Sequence, residues 1–502
     1  MSLSVVYSRA GVGTTAPVVT VEVHLARGLP SCSIVGLPEK AVKESRDRVR
    51  GAILNSGFDF PRKRITVNLA PADLPKEGGR FDLAIALGIL MASGQVRGND
   101  TQQYVFLGEL ALSGALRDIR GALIAALALR GSTKLLVLPT GSAKQAALAD
   151  EVSIRQASTL SEVAAALNGL STLAQPDPTP IPASHESPDF GDVIGQQFTK
   201  RAMEIAAAGH HSLLMTGPPG AGKTMLASRL GSILPTMSVG EALESAAISS
   251  LSHQGFQLCH WRKRPFRAPH HSASGAAIIG GGSNPAPGEV SLAHNGVLFL
   301  DELPEFQRHV LELLREPMES GSVHISRAAR QSSFMARFLL VAAANPCPCG
   351  YLGNANRCHC TPQQIDRYQA RLSGPLLDRI DMHLSVYPIK QSALLSPISD
   401  SESSTAIRDR VERARVRQLR RQQTPNGFLN TSGIQRYCSL SISQAELLEN
   451  VVNRFMLSSR GSHRILKLAR TVADLNGHEP IQDTDLLHAV KLRCTDSSRN
   501  YA

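Results

Sequence analysis

Aromatic side chains are scarce in this 502-residue chain: Phe, Tyr and Trp make up 4%, and Trp261 is the single tryptophan. That argues against a surface that binds polynucleotides by stacking bases, and leaves Arg and Lys contacts to a phosphate backbone as the more natural mode. No run of about 18 uncharged apolar residues occurs, as a membrane-spanning helix requires. Residues 81–92 come nearest, but they are short and carry Asp82. The start, Met1 to Val6, has no basic stretch ahead of a long apolar core, so it does not read as a secretory signal. In that context eight cysteines are not a disulfide framework. The expectation is a soluble cytoplasmic protein with no membrane partner. Acidic residues are in deficit, 42 against 53 Lys and Arg, for a formal charge of +11, which favours a polyanionic partner. With 42% hydrophobic residues there is ample material for buried cores, and the length suggests about three domains.

What is present centres on Gly217-Pro218-Pro219-Gly220-Ala221-Gly222-Lys223-Thr224, which fits G-x-x-x-x-G-K-[ST]. The apolar run Leu213 to Met215 before it reads as a buried strand, and Met225 to Leu230 after it opens a helix. In that context the loop's backbone N–H groups and the helix N-terminus cradle phosphate oxygens. Lys223 would reach the β- and γ-phosphates, and the Thr224 hydroxyl would sit on Mg²⁺. A second apolar run, Val297 to Leu300, ends in Asp301-Glu302. Acids at the carboxyl end of a buried parallel strand lie where ligands bind. There Asp301 would hold Mg²⁺ through water and Glu302 would polarise the attacking water. Phe338 to Ala344 is a third strand; ending on Asn345, it would place that amide beside the γ-phosphate.

Taken in order, residues 1–168 read as one α/β domain. Strands are expected at 18–23, 64–69 and 135–138, a one-sided helix at 40–54, a buried helix at 81–92 and a closing helix at 160–167. Ser31, Cys32 and Ser33 read as lying near a loop, with no base placed to activate them. Residues 169–190 are proline-rich, a semi-rigid linker. Residues 191–395 form the nucleotide-binding core, opening on Val193-Ile194, an apolar pair that either packs on adenine or simply leads into a helix. The block from His260 to His271 holds Arg262, Lys263, Arg264 and Arg267 and reads as a mobile basic loop, either contacting a nucleic-acid backbone or forming a solvated turn. His270-His271 suggests little metal chemistry, since adjacent histidines point apart and no acid pairs with them. A hairpin is expected near 319–331, with Arg327 and Arg330 at its tip. Cys347, Cys349, Cys358 and Cys360 follow as C-x-C-x₈-C-x-C, which suits either a tetrahedral Zn²⁺ clip or a packed, redox-responsive thiol cluster. Arg379, between Asp378 and Asp381, either forms a local ion pair or points away from its own subunit. Residues 396–502 turn helical. Seven arginines between 408 and 421 read as a solvated face or part of a polyanion footprint, and Arg460 or Arg464 at a later helix start could reach a phosphate.

Several longer stretches resemble the ComM/YifB family, related to the ATPase subunit of magnesium chelatase. They are Arg264-Pro265-Phe266-Arg267, Pro287 to Glu302, Asn345 to Gly350 and Ser373 to Asp381. The resemblance runs over essentially the whole chain. It implies a Lon-protease-like (ribosomal S5 domain 2-like) α/β domain, an AAA+ P-loop core and a C-terminal helical lid. It also implies Walker A at Lys223 and Thr224, Walker B at Asp301 and Glu302, and sensor 1 at Asn345. Arg379 matches an arginine finger acting on the neighbour's ATP, and Arg460, with Arg464 as its rival, matches sensor 2. The basic block and the hairpin fall where related rings project loops into a pore. The family implies a hexameric DNA helicase, assembled with ATP and DNA, that drives branch migration of incoming single-stranded DNA in natural transformation. The rival is a chelatase-type motor remodelling a protein partner for metal insertion. In the N-terminal domain, Pro75 to Asp82 falls where Lon-like proteases carry their serine. None is present, so proteolysis is not implied.

Overall fold

The structure, a computed structural model, describes residues 2–36, 40–97, 101–177, 188–252, 254–282, 285–327, 330–354, 356–389 and 401–494. Residues 178–187 of the expected proline-rich linker and the boundary at 395 lie outside them. The chain divides into two compact units. The first is Met1–Pro182 with Ala246–Trp261 and Ser326–Phe334, and the second is Ala183–Ser245, Arg262–Ile325 and Met335–Ala502.

In the first unit, β1 (Ser2–Arg9), β2 (Val18–Ala26), β3 (Ser31–Val35) and β4 (Arg64–Ala70) form a sheet in the order β1-β2-β4-β3. Residues of β2 and β4 alternate in burial, the period-two pattern of a sheet with one face on a core. Ser31-Cys32-Ser33, read as lying near a loop, open β3 just after the bend at 27–29, paired parallel to β4 from Ser31 opposite Arg64 to Val35 opposite Asn68. Its five residues are too few for a clear periodic signal. Two helices follow, α1 (Lys40–Asn55) and α2 (Asp82–Ala92). Every residue of α2 except Met91 is buried. That leaves the Asp82 carboxylate inside the protein, where Arg48 Nε of α1 meets it at 2.9 Å and the Leu110 N–H at 3.3 Å. A second sheet, β5 (Tyr104–Phe106), β6 (Leu135–Pro139) and β7 (Ser153–Ala157), is parallel. It is closed by α3 (Leu160–Leu167), whose N-cap Thr159 accepts from the Glu162 N–H.

The second unit is built on a five-stranded sheet. Its elements are α4 (Gln197–Gly209), β8 (Leu213–Thr216), α5 (Lys223–Ile233), β9 (Phe266–Arg267), β10 (Val297–Leu300), β13 (Leu339–Ala344) and β14 (Met382–Ser385); of the hairpin β11 (Ser322–Arg327) and β12 (Arg330–Met335), residues 326–334 belong to the first unit. The order is β9-β10-β13-β8-β14, with every pair parallel. Strands β10 and β13 are buried along their whole length, as central parallel strands must be when helices cover both faces. The mobile basic loop expected over His260 to His271 is corrected here: Phe266 and Arg267 are the edge strand β9, paired with Val297 and Leu298. Two residues of strand flanked by prolines carry no periodicity to reveal this.

The lid contains α6 (Ser404–Gln422), α7 (Ile442–Phe455), α8 (Ser459–Asn476) and α9 (Asp483–Arg493). Four of the seven arginines of α6 are engaged inside the unit. Arg410 meets Glu204 of α4 at 2.6 Å, Arg415 donates to the carbonyls of Ala208 and Ala207 at 3.0 and 2.9 Å, Arg417 donates to the Asp474 carbonyl, and Arg421 clasps the Asp474 carboxylate at 2.7 and 2.8 Å. The solvated face read from the sequence is therefore largely a clamp between lid and core. Asp474 is itself buried and also meets Arg470 at 3.1 Å and Asn426 Nδ2 at 2.8 Å. Removing one partner of a buried network leaves uncompensated charge. Asp474→Ala is expected to cost about 3–5 kcal/mol, read as a lower urea midpoint for the second unit. An unchanged midpoint would show that the clamp contributes nothing.

Candidate nucleotide-binding site

The sheet register assembles the site. Thr216 lies opposite Ala344 across the β8–β13 pair, and Leu300 lies opposite Ala342 across β10–β13. The glycine loop, Asp301-Glu302 and Asn345 therefore leave three neighbouring strands at one edge. The loop is anchored by the Gly217 N–H on the Ala344 carbonyl at 3.2 Å, and turns back on itself with the Ala221 N–H on the Pro218 carbonyl at 3.3 Å. Gly222 caps α5 at φ +86°, a conformation that a side chain would strain. Lys223 Nζ donates to the carbonyls of Gly217 and Pro218 at 2.6 and 3.1 Å and to Asn345 Oδ1 at 3.0 Å. Burial lowers its pKa, with the Asp301 and Glu302 charges opposing. Thr224 Oγ1 donates to Asp301 Oδ2 at 2.7 Å. A hydroxyl and a carboxylate side by side are the hard oxygen donors that suit Mg²⁺.

Glu302 stands in the left-handed region at φ +52°, and its Oε2 is 3.2 Å from His271 Nδ1. This corrects the expectation that no acid pairs with the two histidines, whose rings also lie only 4.1 Å apart rather than pointing away from each other. Sequence reasoning missed His271 because its partner is contributed by a different strand. Thr224, Phe266, His271, Asp301 and Glu302 line one cleft. Val193 is fully buried and Ile194 half-buried. Gln196, just beyond them, reaches the Ala221 carbonyl at 3.4 Å, so this segment runs beside the glycine loop.

The arginines are placed differently from what their spacing suggests. Arg379 is 8% exposed, and its NH2 pairs with Glu319 at 2.8 Å while NH1 donates to the Pro375 carbonyl at 2.7 Å. The structure thus gives the local ion pair, but with Glu319 rather than with the flanking aspartates. Arg460, 60% exposed, leans on the same Glu319 oxygen at 3.5 Å. Arg464 pairs with Asp381, which also accepts from the Ser212 N–H at 2.9 Å. Burial pushes the Asp381 carboxyl up, but the Arg464 charge and the His211 contact outweigh it and hold it well below the usual range. Arg464 is thereby committed, and Arg460 is the freer of the two. Glu319, a residue without a local motif, is what sequence reasoning missed.

Among the proposed nucleic-acid contacts, Arg264 is corrected. Its side chain is 10% exposed and donates to the carbonyls of Pro235 and Asn295 at 2.6 and 2.7 Å. Arg267 is held bidentately by Glu289 at 2.6 and 2.7 Å, and Arg262 donates to the Met237 carbonyl at 3.1 Å. Lys263 is half-buried. The hairpin carrying Arg327 and Arg330 is formed, but those side chains lie outside the described residues.

The four cysteines converge. Cys347 Sγ lies 3.4 Å from Cys349 and 3.9 Å from Cys358, and Cys349 lies 3.6 Å from Cys358. All four sulfurs fall within 4.8 Å of one another. Among the described residues they form the one group of three or more such ligands, and none of the cysteines is in a disulfide.

A central parallel sheet in this order, a glycine loop opposed by two acids, and a helical lid define a P-loop AAA+ protein of magnesium-chelatase type. The profile "Magnesium chelatase, subunit ChlI" matches residues 189–394, "Subunit ChlI of Mg-chelatase" residues 21–142, and "Magnesium chelatase, subunit ChlI C-terminal" residues 401–493. Competence protein ComM of Haemophilus influenzae is 50% identical over 98% of each chain. YifB of Escherichia coli is 50% identical over 99% of this chain and 98% of its own. The chain belongs to the ComM/YifB family. The magnesium-chelatase 38 kDa subunit of Rhodobacter capsulatus is 26% identical over 40% of this chain and 59% of its own. Among the described residues no helix is long and apolar enough to cross a membrane.

Proposed function

We propose that the chain hydrolyses Mg·ATP and works as a ring of six on single-stranded or branched DNA, driving branch migration during natural transformation. The observation that carries the ATPase part is the pair of side-chain contacts at one sheet edge, Lys223 to Asn345 and Thr224 to Asp301. Support for the DNA part is the near full-length identity to a protein named for competence, together with the charge of +11. In this reading residues 1–168 form a non-proteolytic ring-building domain, 191–395 the motor and 396–502 the lid.

Lys223 leaves its carbonyl partners for the terminal phosphates, where its charge offsets the negative charge that spreads as the phosphoryl group departs. Thr224 and Asp301 would hold Mg²⁺, which would supply neutralisation of the charge that develops on the phosphates. Glu302 accepts a proton from the attacking water once it turns from His271, and the Asn345 amide orients that water. Val193 and Ile194 border the base. Arg379 reaches the neighbouring subunit's ATP only after its pair with Glu319 opens, which ties hydrolysis to ring geometry, and Arg460 acts as sensor 2. The four cysteines hold a structural Zn²⁺. Lys263, Arg327 and Arg330 remain as DNA contacts.

Glu302→Gln is expected to retain bound ATP and to lower turnover at least 100-fold in a phosphate-release assay. Normal turnover removes Glu302 from the chemistry. Arg379→Ala is expected to lack ATPase alone and to regain it when mixed with a Lys223→Ala chain, each supplying what the other lacks. Without rescue, Arg379 serves only its pair with Glu319. Binding to a forked oligonucleotide is expected to weaken about 50-fold between 50 and 200 mM salt if four phosphates are contacted. Salt-independent binding overturns the DNA reading, and ATPase stimulated by a partner protein instead of DNA selects the chelatase-type motor.

A further inference from the structure

The cysteine cluster lies against the phosphate-binding loop, and nothing in the chemistry of ATP cleavage calls for it there. Its sulfurs are spaced 3.4, 3.6 and 3.9 Å apart along the three closest edges. A disulfide needs about 2.05 Å. Four thiolates around one tetrahedral zinc at about 2.3 Å stand roughly 3.8 Å apart, which these separations match. Backbone N–H groups face two of the sulfurs, that of Leu352 turned to Cys347 Sγ and that of Tyr351 to Cys349 Sγ. Such amides stabilise negative charge on sulfur and fix the orientation of the ligands.

The cluster touches the loop at two places. Cys347 is fully buried and follows Asn345 by two residues, so the first ligand anchors the strand end that presents the Asn345 amide to Lys223. Gly350, at φ +82°, closes the first cysteine turn by its N–H on the Cys347 carbonyl at 2.9 Å. A Cβ at Gly350 would stand 2.5 Å from Pro219 Cδ and 2.8 Å from its Cγ. The turn therefore lies directly on the glycine loop, at a position only glycine permits. Gln369 Nε2 adds a bond to the Pro346 carbonyl at 3.3 Å, bracing the same turn from behind.

We propose that Cys347, Cys349, Cys358 and Cys360 bind one Zn²⁺ whose role is to press the Gly350 turn onto Pro219 and hold Asn345 on Lys223. The metal thereby sets the rate of ATP cleavage without touching ATP. Cys347 and Gly350 are positioning residues in this scheme. The metal fixes the turn, the turn fixes the loop and the sensor amide, and these fix the water and the terminal phosphate. The inference rests on the ATPase reading above.

The test uses the full chain. Elemental analysis of purified protein is expected to find about one zinc per chain, and a chain with less than about 0.2 transition metal overturns the site. The Cys358→Ser/Cys360→Ser double variant is expected to lose the zinc, to bind a fluorescent ATP analogue within about 3-fold of wild type, and to drop in kcat at least 10-fold. Gly350→Ala separates the brace from the metal: it is expected to keep its zinc and show the same fall in kcat. Zinc retained with kcat unchanged overturns the brace. Should Gly350→Ala fail to fold, Pro219→Ala opens the same contact from the other side and is read the same way. A wild-type chain that holds zinc but cleaves no ATP sinks the ATPase reading and leaves the metal site standing. One that cleaves ATP at full rate without metal does the reverse.

Discussion

The parallel pairing of β8 with β13, and of β13 with β10, is the constraint on which the rest of the second unit depends. Because the strands run the same way and in register, their carboxyl ends finish together. The glycine loop, the two acids and the sensor amide are otherwise far apart in the chain. A slip of one residue between β8 and β13 would turn the side chains of one strand to the opposite face and separate Lys223 from Asn345. The buried, wholly apolar character of β10 and β13 makes such a slip costly, since it would expose apolar surface and misalign backbone bonds inside the protein.

Arginine is the second organising element, and it works mainly inward. A guanidinium presents five donors in a fixed plane, so one side chain can satisfy several carbonyls that would otherwise be stranded in the interior. Arg415 of α6 does this for two carbonyls of α4 and Arg264 for those of Pro235 and Asn295, while Arg421 closes on Asp474. A chain with a formal charge of +11 therefore shows solvent less basic surface than its composition suggests. The same economy appears at Glu319, one carboxylate that receives both Arg379 and Arg460.

The cysteine turn and the His271–Glu302 pair lie at the same edge of the sheet. The Gly350 turn lies against Pro219, and Glu302, paired with His271, stands in a backbone conformation that non-glycine residues seldom adopt.

The nucleotide site was legible in the sequence to the extent that it is local. G-x-x-x-x-G-K-T, an apolar run ending in Asp301-Glu302 and another ending in Asn345 each carry their meaning within a dozen residues, since strand, turn and helix are set by short-range periodicity and backbone conformation. The buried helix at α2 and the capped helix at α3 were readable for the same reason. The edge strand β9 and the strand β3 were not, because two or five residues are too few to show a period. Composition could count the arginines but could not assign them. Whether Arg379, Arg264 or His271 faces solvent, a neighbour or an acid of its own chain depends on partners many tens of residues away, or on a different strand. Only the packing of the sheet and its lid brings those partners within hydrogen-bonding distance. Local spacing determined which groups can perform the chemistry, and the tertiary structure decided which of them are already held, because a charge removed from water must find its counterpart wherever the fold has placed one.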